Sequence, residues 1–316
     1  DVYGDDPTVN DLENWAAQTH GFGAALFTSS GTQANLIGLM AHCERGDEYL
    51  CGQQAHNYKY EAGGAAVLGS IQPQPIENNP DGSLCFDKLK AAIKEDDFHF
   101  ARTKLLSLEN TIGGKVLSLD YLAKAREFTR AHGLALHLDG ARVYNAAVAL
   151  DVEITQISQH FDSMTICLSK GLGAPVGSLL LGSKEYINKA RRIRKMLGGG
   201  MRQAGILAAA GKVALTENVA DLKTDHQNAA LLAEGLRQID GIISDSVTAN
   251  TNIVYARLQS PDKIEHLVET LAQKDIQITL GNPIRFVTHR DVTSFDVDTL
   301  LTEIKTFFKS NQASKH

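Results

Sequence analysis

Between residues 24 and 181 short apolar runs alternate with stretches of helical periodicity, and no other feature of the chain narrows its fold as much. The runs at 24–27, 48–51, 67–71, 103–108, 134–138, 165–168 and 179–181 read as strands, with helices at 34–43, 87–94 and 118–132 among them. Runs without a polar face suit a mainly parallel sheet covered by helices on both sides, whose carboxyl-end loops share one crevice. A helix at 8–20 precedes them, with Asp6 as cap and Pro7 at the first helical position. Pro73, Pro75 and Pro80-Asp81-Gly82 mark loops and a turn.

Several of these runs end in residues with chemical uses. The run at 165–168 leads through Ser169 to Lys170 and then Gly171-Leu172-Gly173. A lysine ending a buried run is costly, and its main chemical use is as a nucleophile that forms a Schiff base with a carbonyl. The run at 134–138 leads into Asp139, which lies 31 residues before Lys170 with a helical segment between them, so the two can face one site. An aspartate there serves structure as often as function. Thr28-Ser29-Ser30-Gly31-Thr32 joins a strand to a helix start, where free N–H groups suit a phosphate and equally suit simple capping. His56 follows the run at 48–51, either as a hydrogen-bonded loop residue or as a planar group to stack on a ligand, and Glu109-Asn110-Thr111 closes the run at 103–108.

From about residue 219 the chain becomes more polar, with helices at 229–239, 262–274 and 297–309 and strands at 253–257, 276–280 and 284–288. The expected division is a large domain over 1–218 and a small α/β domain over 219–316. With 31 Lys+Arg against 37 Asp+Glu there is no basic stripe for nucleic acid, and no apolar run is long enough to span a membrane, so a cytoplasmic protein acting on small molecules is expected. Gly114-Lys115-Val116 lacks the remainder of a P-loop. His137 and Asp139 have no third ligand cluster beside them, and the cysteines at 43, 51, 85 and 167 lack metal or disulfide spacing, so no metal is expected.

Pyridoxal phosphate needs an amine, a carboxylate for its ring nitrogen, an anion site and a stacking partner. Lys170, Asp139, the Ser30-Gly31-Thr32 helix start and His56 offer these four. At the same residues, and across nearly its whole length, the chain resembles the low-specificity L-threonine aldolases, pyridoxal-phosphate enzymes of the aspartate-aminotransferase-like fold type I. The resemblance runs through Asp1-Val2-Tyr3-Gly4-Asp5-Asp6-Pro7, Ser30-Gly31-Thr32-Gln33-Ala34-Asn35, Leu108-Glu109-Asn110-Thr111, His137-Leu138-Asp139-Gly140-Ala141-Arg142, Ser169-Lys170-Gly171-Leu172-Gly173, Gly198-Gly199-Gly200-Met201-Arg202-Gln203 and Arg285-Phe286-Val287-Thr288-His289.

The resemblance implies a seven-stranded-type sheet in the large cofactor domain and retro-aldol cleavage of L-threonine, L-allo-threonine and other β-hydroxy-α-amino acids to glycine and an aldehyde. It implies that Lys170 holds the cofactor as a Schiff base beside Ser169, that Asp139 pairs with the ring nitrogen, and that His56 stacks on the ring. Gly31, Thr32 and Arg202 would hold the phosphate, and Arg142 and Arg285 the substrate carboxylate. Tyr3 would reach a neighbouring subunit's site in a homotetramer built from dimers, and His99 would lie near the substrate hydroxyl. The catalytic base stays open among His56, His99 and a water. The family's Leu-Arg-Ser-Asp-Thr-like N-terminal motif has no counterpart in this sequence, and Ile112-Gly113 stands where close relatives have His-Asn. An aminotransferase or β-eliminating lyase shares Lys170 and Asp139, and a non-catalytic binding protein on this fold is the remaining alternative.

Overall fold

A computed structural model describes residues 1–313, in two compact units, Asp1–Val219 and the residues from Ala220 onward. The first unit opens with α1 (Pro7–Thr19), whose start is capped by the Asp6 carboxylate accepting from the N–H groups of Thr8 and Val9. β1 (Ala24–Thr28) leads through Ser29-Ser30 into α2 (Gly31–His42), where Ser30 Oγ accepts from Gln33 N at 3.1 Å. Next come β2 (Asp47–Gly52), the short α3 (His56–Lys59) and α4 (Gly64–Val67), β3 (Gln72–Ile76), α5 (Phe86–Ala92) and β4 (Arg102–Glu109). α6 (Leu119–Ala131) carries the chain to β5 (Ala135–Gly140), and α7 (Val143–Leu150) with α8 (Ile154–Ser158) carries it to β6 (Ser163–Cys167). β7 (Ser178–Gly182), α9 (Lys184–Met196) and α10 (Gly205–Thr216) complete the unit.

Its strands form one seven-stranded sheet in the order β1-β7-β6-β5-β4-β2-β3. All neighbours from β6 to β3 run parallel, while β7 runs against both β6 and β1. This is the mainly parallel sheet expected, and every strand except β7 therefore ends on the same edge. Leu26, Ile37, Leu180, Ile187 and Ala190 pack α2 and α9 onto β1 and β7, each fully buried leucine or isoleucine contributing about 2 kcal/mol.

Two local expectations are corrected. The stretch 67–71 is not a strand: it is the end of α4 and a turn through Ser70 at φ +54°, and only Gly69 and Ile71 are buried. The strand lies one step later, as β3, and includes Pro73 and Pro75. β3 is the outermost strand, so prolines on one parity lose no hydrogen bond to β2.

The second unit holds α11 (Leu222–Arg237), β8 (Ile242–Ala249), β9 (Ile253–Leu258), α12 (Ile264–Ala272), β10 (Ile284–Val287) and α13 (Ser294–Ala313). The strands make an antiparallel sheet in the order β10-β9-β8 around a core that includes Leu232, Val254, Leu267, Ile284 and Phe307. β8 shows no apolar run in the sequence because half of its residues are polar and half are exposed. Conversely, the β-branched stretch 276–280 is no strand, since it forms no backbone ladder and is mostly exposed. No helix of the described residues is long and apolar enough to cross a membrane.

Candidate active site

The shared strand-end edge gathers the polar residues that ended the apolar runs. In register across it, Glu109 stands opposite Asp139 and Asp139 opposite Thr165. Asp139 is 1% exposed, and its oxygens accept from Asn35 Nδ2 at 2.8 Å and from Ala141 N at 3.1 Å. Asn35 sits in the second turn of α2, and its Oδ1 accepts from Thr165 Oγ1 at 3.0 Å, which turns the amide nitrogen toward the carboxylates. The same nitrogen lies 2.8 Å from Glu61 Oε1, and that oxygen lies 2.8 Å from His56 Nδ1. The His56 backbone N–H donates to Glu109 Oε2 at 2.7 Å.

Ionisable groups stand close together here, Asp139 and Glu61 among them buried. Burial, then the charge of Asp139, pushes the Glu109 carboxyl up to about 8. Burial also raises Glu61, against the hydrogen bonds it receives, while the bond to Glu61 raises His56 above the ordinary imidazole range. The Lys170 ammonium acts on both His56 and Glu109 electrostatically, in the lowering direction, so it lies within electrostatic range of both.

Lys170 is half-buried rather than buried, and Ser169 is exposed. Beyond β6 the chain turns tightly, with Gly173 N donating to Lys170 O at 2.9 Å and Gly173 at φ +78°, so the lysine stands at the rim of the sheet edge. Gly31 and Thr32 form the first turn of α2, where N–H groups have no intrahelical acceptor, and a Cβ at Gly31 would lie 3.8 Å from Cys167 Sγ. Arg142 follows Asp139-Gly140-Ala141 at the start of α7 and lines, with Gly140, Cys167, Gly171 and Leu172, a small recess.

Other expected site residues make their contacts with residues outside this cluster. Arg202 is exposed, its guanidinium 5.1 Å from the ring centroid of Tyr3, which is 74% exposed. Arg285 is half-buried on β10, opposite Tyr255, in the second unit. His99 precedes β4 and pairs with Asp97 at 2.6 Å, at the end of that strand opposite Glu109. Within one chain, the roughly 20 Å length of β4 separates its neighbourhood from the cluster. Ile112-Gly113 forms a tight turn bridged to Lys115, with Ile112 packed against Gly82.

Asn35 and Glu61 are site residues that the sequence did not single out. Asn35 lies four residues beyond Gly31, one helical turn from the anion site, and that spacing was the available signal. Glu61 stands in a loop without any periodic pattern, and nothing in the sequence marks it.

Pyridoxal phosphate fits the residues present. A buried carboxylate with defined donors faces the edge, a helix N-terminus opens beside it, and an amine stands at the rim. Close by, Asn110 Nδ2 and Thr111 Oγ1 are buried without a partner among the described residues. Asn110 N donates to Asp139 O at 3.0 Å, so these polar atoms border the same carboxylate strand.

Comparison with known proteins identifies the family of the chain. Residues 1–259 match the family described as Beta-eliminating lyase. The low specificity L-threonine aldolase of Escherichia coli (strain K12) is 57% identical over 293 residues, covering 93% of this chain and 87% of that protein. The probable low-specificity L-threonine aldolase 2 of Arabidopsis thaliana is 43% identical over 320 residues, covering 98% and 90%. Among solved structures, a threonine aldolase from Leishmania major superposes with a TM-score of 0.82 at 21% identity, covering 96% of this chain and 91% of that one. A serine palmitoyltransferase from Sphingomonas wittichii superposes at 0.76 with 17% identity, covering 97% and 77%, so the fold by itself does not select a reaction.

Proposed function

The chain belongs to the beta-eliminating lyase family, among its low-specificity L-threonine aldolases, and we propose that it cleaves L-threonine to glycine and acetaldehyde with pyridoxal phosphate as cofactor. The observation that carries this reading is the gathering of Asp139, Glu61, His56 and Lys170 at one sheet edge beside the start of α2. L-Allo-threonine and other β-hydroxy-α-amino acids belong to the proposed substrate class, in line with the low specificity in the relatives' names.

Lys170 would hold the cofactor's aldehyde carbon, Asp139 its ring nitrogen, and Gly31 and Thr32 with Arg202 its phosphate, with Ser169 beside the lysine. Bound there, pyridoxal phosphate supplies an electron-accepting ring for the pair released when a bond to Cα breaks. The chain's own residues choose that bond. Arg142 and Arg285 clamp the substrate carboxylate, a task suited to planar, bidentate guanidinium groups, and so fix how Cα is presented. His56 has its Nδ1 engaged by Glu61, which leaves Nε2 to take the β-hydroxyl proton as the Cα–Cβ bond breaks. One proton leaves oxygen and one is gained at Cα, so threonine yields glycine and acetaldehyde without an oxidant.

Self-association belongs to the same proposal, as a homotetramer in the cytoplasm. Tyr3, Phe98 and Phe100 are 74%, 90% and 50% exposed, which supports a further copy covering them. In such an assembly Tyr3 and His99 serve a neighbour's site.

The test is borohydride reduction of the cofactor-loaded protein followed by peptide mass mapping, together with product analysis from L-threonine and L-allo-threonine. The cofactor's mass on the peptide containing Lys170, with glycine and acetaldehyde formed in equal amounts, is the expected result. Keto acid or ammonia as the main product would replace the aldolase reading with a transaminase or an eliminating lyase.

A further inference from the structure

We propose that Glu61 is a positioning residue that holds the His56 imidazole through Nδ1 and, by way of Asn35, ties it to Asp139. Three contacts of 2.8 Å make the chain: Asp139 Oδ2 to Asn35 Nδ2, the same Nδ2 to Glu61 Oε1, and Glu61 Oε1 to His56 Nδ1. The part of this inference that concerns catalysis rests on the aldolase reading above; the pairing itself does not.

The choice of a carboxylate is what calls for explanation. The Glu61 side chain is 4% exposed and that of His56 is 40% exposed. A buried carboxylate is costly unless it is paired, and a neutral amide would satisfy Asn35 equally well. What a carboxylate adds is charge, and the group that receives it is the imidazole. With Nδ1 engaged, the ring's rotation is fixed and Nε2 becomes the nitrogen that exchanges a proton. The remaining charges that face His56 are Asp139, which acts in the same sense as Glu61, and Lys170, which acts against it. Glu109 accepts from the backbone N–H of His56 and also interacts electrostatically with the imidazole, and the Tyr60 ring lies 5.7 Å from it. Glu61 itself faces His56, Asn35 and Asp139. The bond to Glu61 is the largest influence on the imidazole and raises its proton affinity. The unusual backbone supports the same role, since Ala62 stands at φ +53° immediately after Glu61, a conformation an alanine adopts only when its surroundings hold it there.

The experiment is a histidine ¹⁵N NMR titration of the cofactor-free protein, with His56 assigned by His56→Asn. In the wild type His56 titrates above the ordinary value of about 6.5, with Nδ1 carrying the proton in the neutral form. Glu61→Gln, which keeps the shape and removes the charge, lowers the His56 pKa. Glu61→Asp restores most of that shift. In the loaded enzyme the acid limb of kcat/KM moves to lower pH by the same amount in Glu61→Gln. A wild-type value at or below about 6.5, or identical titrations in wild type and Glu61→Gln, overturns the proposal. The wild-type measurement stands even where the variant does not fold. Failure to cleave threonine with the titration shift intact sinks the functional reading and leaves the pair; cleavage with no shift sinks the pair alone.

Discussion

Asp139 and Asn35, 104 residues apart in sequence, meet at 2.8 Å where the end of β5 lies beneath α2. The contact joins the helix whose start would hold the cofactor's phosphate to the carboxylate that would hold its ring nitrogen. Because Asn35 also donates to Glu61, one amide nitrogen supports two buried carboxylates.

Removing that amide leaves both carboxylates short of a donor. Asn35→Ala should destabilise the cofactor-free protein by about 3 kcal/mol, as hydrogen bonds to buried charged groups contribute about 1.5 to 3 kcal/mol each. Urea unfolding at neutral pH measures it, and a loss below about 0.5 kcal/mol would mean that water replaces the amide.

The two clamp arginines should separate binding from cofactor retention. Arg142→Ala and Arg285→Ala are each expected to raise KM for L-threonine roughly ten- to hundredfold, the worth of a lost charge-assisted pair, while the cofactor's visible absorbance is unchanged. Loss of the absorbance in either variant would reassign that arginine to the cofactor.

Glu109 opposes folding as pH rises. Its carboxyl titrates near 8 in the folded chain, against an ordinary value near 4.5, so the folded form binds the extra proton and stability falls as pH climbs through that window. In the cofactor-free protein Glu109→Gln should therefore gain on the order of 2–4 kcal/mol over wild type between pH 5 and pH 9. Parallel pH profiles of wild type and variant would refute the assignment.

His20 works in the opposite sense. It is buried, with Nδ1 2.7 Å from Ala16 O and Nε2 2.9 Å from the Tyr144 hydroxyl, and burial holds it down to about 4. The unfolded chain takes up a proton near pH 6.5 that the folded chain refuses, so this contribution is complete above that pH and is lost as pH falls toward 4. Between pH 7.5 and 5 the wild type should lose about 2 kcal/mol more than His20→Asn. Equal losses in urea titrations would show that the site admits the charge.

Gly38 tests packing against propensity. Alanine favours a helix interior by about 1 kcal/mol over glycine. At this position its Cβ would lie 3.0 Å from His137 Cε1 and 3.3 Å from the Tyr186 hydroxyl. His137 is wholly buried and bonded at 2.7 Å to Ser163, which also lies 2.6 Å from His42 Nε2, so it has little room to yield. Overpacking costs about 1–3 kcal/mol, and Gly38→Ala should lower the melting temperature despite its better propensity. A higher melting temperature would show that the histidine moves aside.

Much of this protein was determined by local sequence. Apolar runs without a polar face can be buried only between helical layers, so the parallel sheet followed from residues 24 to 181, and capping marked α1 and α2 through Asp6 and Ser30. Lys170, Asp139, His56 and Gly31 were legible because each lies just beyond an apolar run, and parallel strands bring such ends to one edge. The tertiary structure alone decided what supports them. β3 is a strand despite two prolines because it is outermost, and 276–280 is not one because it forms no backbone ladder, meeting β10 only through the Thr279 hydroxyl bonded to Arg285 O. Glu61 and Asn35 join the cluster through contacts across 26 and 104 residues. Hydrogen bonds and burial depend on which distant segments meet, and a residue's own neighbours in sequence carry no record of that meeting.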